Sequence, residues 1–269
     1  LIRSLYSGAS GMKNHQIKMD VIGNNVANVN TTGYKSGRAN FADVLYQTIR
    51  YASAGTADTG GIMPSQVGLG MTVASITNDT GQGGLQNTGR ALDLAIDGNG
   101  WFIVTPDDGN TRYYTRDGIF YVDNEGNLVN SSGYMVLDNG GDVINLGTDG
   151  IATLNIGKDG TITATDLDGD DISPGDPIGL AMFPNQDGLE RIGRNVYIKS
   201  VVSGGPLDEF GTPDSGGYGT INSGYLEMSN VDLTDEFTSM ITTQRGYQAN
   251  ARTITVSDKM IEELLNLKR

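Results

Sequence analysis

Cysteine is absent from this 269-residue chain. That excludes disulfides, thiolate metal sites and cysteine nucleophiles together. Histidine occurs once, at His15, which leaves no material for a His-based triad or a multi-His metal centre. No apolar run approaches the roughly 20 residues needed to span a bilayer, so membrane insertion is not expected. Residues 1–20 also lack the basic, apolar, small-residue order of a cleaved secretory signal. Basic residues are outnumbered, 18 against 32 acidic, for a net charge of −14. Such a chain is repelled by a phosphate backbone, and a nucleic-acid partner is not expected. Neither a GxSxG elbow nor a P-loop occurs. No enzyme activity and no cofactor are expected.

What is present is unevenly distributed. Residues 1–50 carry six basic and two acidic side chains, residues 231–269 five and six, and the 180 residues between them seven and 24. Glycine divides as five, 33 and one across the N-terminal, middle and C-terminal parts, and all seven prolines fall in the middle. Gly and Pro interrupt regular helices and enable turns. The composition predicts helical ends flanking a loop-rich β middle, an α+β chain.

Periodicity agrees. Ile2, Leu5, Ala9, Met12, Gln16, Met19, Gly23 and Val26 fall at alternating steps of three and four. The same steps pick out Leu233, Phe237, Met240, Gln244, Tyr247, Ala251, Ile254, Asp258, Ile261 and Leu265. These are narrow heptad seams, not the wider apolar face of a helix packed on a globular core. Asp232 is placed to cap the second helix, with Asp235 and Glu236 in its first turn. Lengths of roughly 25 and 35 residues are expected, about 35–50 Å at 1.5 Å per residue. The plainer alternative is two surface helices packed on the middle domain. Two long heptad helices at opposite ends of one chain instead suit an antiparallel coiled coil. A lone two-helix seam is marginal, so neighbouring copies are expected to cover the remaining apolar surface, and the protein to polymerise.

The middle reads as antiparallel sheet. Leu94–Ile96 and Trp101–Val104 flank the tight turn Asp97-Gly98-Asn99-Gly100. Further strands are predicted at 113–115, 119–122, 128–129, 151–156, 161–165, 178–183 and 195–202, with exposed loops or linkers at 51–68 and 203–220. The run Asp166–Asp171 invites a calcium reading, but an EF-hand loop needs Gly sixth and Glu twelfth, where Asp171 and Pro177 stand. A solvated hairpin tip is the simpler reading. Gly98-Asn99-Gly100 lacks the third glycine and the following helix of a dinucleotide site. A calcium- or carbohydrate-binding β module with helical tails is the competing class.

The helix exit reads Asp20-Val21-Ile22-Gly23-Asn24-Asn25-Val26-Ala27-Asn28-Val29-Asn30-Thr31-Thr32-Gly33-Tyr34-Lys35. With the blocks at 7–12, 92–102, 114–118, 223–232 and 244–250, it resembles the bacterial flagellar rod and hook proteins over nearly the whole chain. Residues 41–50 are similar to the distal rod protein. Residues 67–70, 88–94 and 264–269 are more similar to short hook proteins, and on these the hook is favoured, with the distal rod as alternative.

The resemblance implies a structural subunit of a tube that transmits motor torque and walls the export channel. Residues 1–30 and 231–269 would form the inner coiled-coil layer, 31–75 a connecting segment and 76–230 the β-rich outer domain. Leu5, Met12, Met19, Val26, Phe237, Met240, Tyr247, Ile254, Ile261 and Leu265 would build the inner layer. Asn24, Asn25, Asn28, Thr31 and Gly33 would set the helix exit. Expected partners are further copies, the other axial proteins (rod, hook cap, hook–filament junction) and the type III export apparatus. The location would be the extracellular hook or the basal body, reached without a cleaved signal. The terminal seams would order only on assembly.

Overall fold

The computed structural model describes residues 2–55, 60–107, 109–147, 151–166 and 170–267. The chain divides into two compact units, one from 1–27, 37–77 and 232–269, the other from 28–36 and 78–231. It is α+β, with packed terminal helices and an antiparallel β middle.

In the first unit, α1 (Ile2–Ala27) and α2 (Leu233–Asn266) have 26 and 34 residues. Asp232 caps α2 as expected: its carboxylate accepts from the Thr234 and Asp235 amides, and Asp235 and Glu236 occupy the positive first turn. Four strands complete this unit: β1 (Gly37–Asp43), β2 (Tyr46–Arg50), β3 (Ser65–Gly68) and β4 (Met71–Asn78). β1 pairs with β4, and β2 with β3. The segment read as an exposed loop at 51–68 thus contributes a strand, although residues 56–59 lie outside the described residues.

The second unit runs β5 (Leu85–Asn87), β6 (Leu94–Asp97), β7 (Trp101–Thr105), β8 (Tyr113–Thr115), β9 (Phe120–Val122), β10 (Leu128–Asn130), β11 (Met135–Val136), β12 (Ile151–Ile156), β13 (Ile162–Asp166), β14 (Leu180–Ala181), β15 (Glu190–Gly193), β16 (Val196–Ile198), β17 (Thr220–Ser223) and β18 (Tyr225–Glu227). The main sheet is ordered β15-β16-β8-β7-β11-β10-β9, with β14 also on β7. All five residues of β7 are buried, and alternation sends them to opposite faces. Phe102 and Val104 join one core with Phe120, Leu128 and Ile178; Trp101 and Ile103 join a second with Tyr114, Leu137 and Phe183. Gly98 and Gly100 both take positive φ in the turn before β7, and a strand follows them, not a helix.

Three expectations need correction. Residues 203–220 are irregular but not a linker, because Tyr218 fills the core and Gly211 exchanges two backbone hydrogen bonds with Leu180 at 2.7 and 3.0 Å. Strands expected at 178–183 and 195–202 shrink to β14 and β16, because Ser200 and Ser203 turn the chain after Ile198 with mutual hydroxyl–backbone bonds. In the acidic run, residues 167–169 lie outside the described residues, as do Lys268 and Arg269 of the hook-like ending. Asp171 bonds the Ser173 amide and hydroxyl. Among the described residues no group of three His, Asp or Glu could hold a metal ion, and no helix is long and apolar enough to cross a membrane.

Candidate functional site

The antiparallel contact of α1 with α2 is made by small and polar residues. The Ser4 and Ser257 hydroxyls lie 3.2 Å apart. A Cβ placed on Gly8 would sit 3.2 Å from Ile254 Cγ1, and one on Gly11 only 2.6 Å from the Asn250 amide. Gly246 faces His15, whose Nε2 would be 2.8 Å from an added Cβ. At the far end Asn25 donates to Glu236 at 2.8 Å. Three glycines therefore let the two backbones approach closely, as small residues do wherever helices pack tightly.

This changes the seam read from periodicity. On α2 the positions that are not exposed are Glu236, Ser239, Met240, Thr243, Gly246, Tyr247, Asn250, Ala251, Ile254, Ser257 and Ile261. Met240, Tyr247, Ile254 and Ile261 belong to the predicted stripe. Three of its alternate members are displaced by one residue: Glu236 replaces Phe237, Thr243 replaces Gln244 and Ser257 replaces Asp258, while Ala251 stays half-buried beside Asn250. Phe237 is 48% and Leu265 65% exposed, so neither packs within this unit. Leu5, Met12, Met19 and Val26 are half-buried. Leu233, Ile241, Val256, Met260 and Leu264 are also exposed along α2. The pair thus closes on a seam that alternates apolar with small and polar residues, and leaves other apolar side chains of α2 outward.

His15 lies in the seam, edge-on to Phe41 of β1 at 5.9 Å, with a buried Nδ1 that has no partner in the structure. Burial, followed by the neighbouring Lys18 charge, holds its pKa below the ordinary imidazole value.

The helix exit is built from the expected motif. Asn25 is buried and exchanges two 2.8 Å hydrogen bonds with the backbone of Gly37, so its amide substitutes for a strand neighbour as β1 begins. Asn24 is exposed. Asn28 accepts from Thr31 through both its carbonyl and its side chain, each at 3.1 Å, closing the turn after α1. Gly33 takes φ +64°, and a Cβ there would lie 2.6 Å from the backbone of Arg116 and Asp117. Only glycine fits that position. Thr32 donates to Asp117 at 2.9 Å, a carboxyl whose pKa burial raises.

Comparison with known proteins follows the same outline. The family described as "Flagella basal body rod protein" matches residues 5–35, the "Flagellar hook protein FlgE/F/G D1 domain" residues 95–164, and the "Flagellar basal body rod FlgEFG protein C-terminal" family residues 222–267. The flagellar basal-body rod protein FlgG of Bacillus subtilis is 49% identical over all 269 residues, covering the whole of both chains. This chain belongs to the flagellar rod and hook protein family. The Agrobacterium fabrum rod protein FlgG is 40% identical over 96% of this family member and 97% of its own length. The hook protein FlgE of Borreliella burgdorferi is 29% identical, in an alignment of 445 positions that covers both chains.

Two matched segments of this rod/hook family member coincide with the geometry above: one runs from the α1 seam through Gly33 to Lys35, the other carries α2. Residues Lys35, Arg116 and Glu227 were quoted within motif blocks but given no role. They form a buried ionic group that no local pattern marks.

Proposed function

We propose that this chain is the subunit of the distal rod, the drive-shaft segment of the flagellar basal body, and that copies of it assemble into a tube whose inner wall is formed by α1 and α2. The observation that carries the rod reading is the full-length correspondence, at 49% identity, with a protein named as a basal-body rod protein. The hook relative is more distant and its alignment needs 445 positions. The hook reading favoured by residues 67–70, 88–94 and 264–269 therefore gives way to its alternative. Residues 41–50, the stretch similar to the distal rod protein, supply the end of β1 and all of β2, the first strand of the exposed β2–β3 hairpin.

Self-assembly is supported by the seam. Gly, Ser, Thr and Asn bury little apolar area, while Phe237, Ile241, Val256, Met260 and Leu264 remain in water. Apolar burial contributes about 25 cal/mol per Å², so further copies stabilise the helices by covering those side chains. The expected neighbours are other axial proteins, the expected exporter is the type III apparatus, and the role is structural.

The test is complementation of a flagellated bacterium lacking its own distal-rod subunit, with a tagged copy located by electron cryotomography. Density in the straight shaft within the outer ring, with motility restored, is the expected result. Tag confined to a curved segment outside that ring would return the hook reading. Purified chain that stays monomeric at every concentration would remove the polymer.

A further inference from the structure

We propose that Lys35, Arg116 and Glu227 form a charge clasp that makes three separate stretches of the β unit (28–36, 78–84 and 226–231) order in a single cooperative step. Each stretch adjoins a point where the chain passes to the other unit, after residues 27, 36, 77 and 231.

The side chains of Lys35 and Glu227 are 0% exposed, and that of Arg116 3%. Each of Glu227's three oxygens accepts at least one hydrogen bond. Its Oε1 takes Lys35 Nζ at 2.6 Å and the Gly83 amide at 2.9 Å; its Oε2 takes Arg116 Nη1 at 3.3 Å; its carbonyl takes the Gly33 amide at 2.8 Å. Lys35 Nζ also donates to the Gly81 carbonyl at 2.9 Å, and Arg116 Nη2 to the Gly98 carbonyl at 2.8 Å. The Glu227 carboxylate thereby joins Lys35, Gly83 and Arg116, its carbonyl adds Gly33, and Lys35 extends the group to Gly81.

Asn230 repeats the arrangement beside it. Its Oδ1 accepts the Ser36 amide at 2.7 Å, and its Nδ2 donates to the carbonyls of Asp79 and Gly81 at 2.9 and 3.1 Å. The Asp79 amide returns a 2.8 Å bond to the Ser36 carbonyl. No strand ladder holds residues 28–36. Their bonds to the rest of the unit run to 79–81, 117, 191–195 and 227–230.

The cooperativity follows from charge. Burial holds both Lys35 and Arg116 below their ordinary pKa values, and Glu227 opposes that shift in each. Before Glu227 arrives, closing the unit would place two like charges together in a dry interior, which is strongly unfavourable. Lys35 and Glu227 are 192 residues apart, so the first stretch gains its partner only when the last is in place.

The experiment is amide exchange followed by NMR on the full chain, wild type and E227Q. In the wild type, the amides of Gly33, Ser36, Asp79, Gly83 and Asn230 should open with one common equilibrium constant. In E227Q that constant should rise by about 100-fold or more for all five, as expected when a buried pair is broken. Adding K35M to E227Q removes one unpaired cation and should recover part of the loss. Independent opening of residues 33–36 in the wild type, or an E227Q effect confined to one stretch, overturns the proposal. So does a K35M/E227Q chain less stable than E227Q. Should E227Q not fold, N230A, which strands no charge, must open Ser36 and Asp79 and carry Gly33 and Gly83 with them by the same factor; unchanged Gly33 and Gly83 would refute the clasp.

Discussion

The two units bury their contacts in opposite ways. In the β unit, β7 is enclosed on both faces, aromatic pairs such as Phe102–Phe120 meet edge to face at 5.2 Å, and even a charged cluster is sealed inside. In the helical unit the contact surface mixes Gly, Ser, Thr and Asn with half-buried Met240, Tyr247, Ile254 and Ile261, and other large apolar residues of α2 point outward. The core of the β unit therefore closes within one copy, with Ile192, Val201, Val202 and Leu207 left exposed on its surface. The helical unit is shaped for a close fit but leaves Phe237, Ile241, Val256, Met260 and Leu264 in water, and helices in proteins draw most of their stability from packing an apolar face. On the assembly proposed above, the firm core and the assembling surface lie in different parts of one chain.

The largest expected effect tests that division directly. Phe102→Ala removes a fully buried ring from the β core and should destabilise that unit by about 3–5 kcal/mol, read as a fall in its denaturation midpoint. Ile241→Ala, at an exposed site, should leave the midpoint of the free chain within about 0.5 kcal/mol and raise the concentration needed for self-assembly. In the free chain, amides of β7 should also exchange far more slowly than those of α1 and α2. Equal protection of helices and core in a verified monomer would erase the contrast.

A backbone pair sharpens it further. Gly33→Ala requires a positive φ and a Cβ 2.6 Å from the backbone of Arg116 and Asp117, neither of which yields cheaply. Backbone strain alone is of order 1–3 kcal/mol, and the steric clash adds to it. Gly8→Ala meets Ile254 Cγ1 at 3.2 Å, a side chain that shifts by a few tenths of an ångström. Its expected effect on the β unit is nil and on the helix pair small, measured as helical ellipticity against temperature. A Gly8→Ala penalty matching that of Gly33→Ala would mean that the seam is as rigid as the core.

Local signals were legible in the sequence. The Asp232 cap, the lengths of α1 and α2, the turn before β7 and the Asn28–Gly33 exit each depend on residues within a few positions of one another. The helix register was misread for a physical reason. Hydropathy marks where apolar residues recur, and here the packed alternate positions are Thr243, Asn250 and Ser257, which carry no such mark. Residues 203–220 have the Gly and Pro content of a linker, and only the packing of Tyr218 distinguishes them from one. The link between Lys35 and Glu227 spans 192 residues and has no periodicity to reveal it.

The smallest effect concerns His15, and its sign can be worked out. The folded pKa lies below the ordinary 6.5, so the unfolded chain takes up the proton first as pH falls. A group depressed in this way contributes stability at neutral pH that is lost progressively below about 6.5, down to the folded pKa. Protonation would place a second cation beside Lys18 and leave a buried Nδ1–H without an acceptor. The loss should therefore fall on the helix pair, not on the β unit, where no histidine exists. Because the chain has one imidazole, its NMR titration is unambiguous and should give a midpoint below 6.5. Melting of the helical signal between pH 7.5 and 5 should follow that titration, and His15→Gln should remove the histidine's share of the slope. An imidazole that titrates above 6.5, or a slope identical in His15→Gln, would show that the seam is open to water at this position.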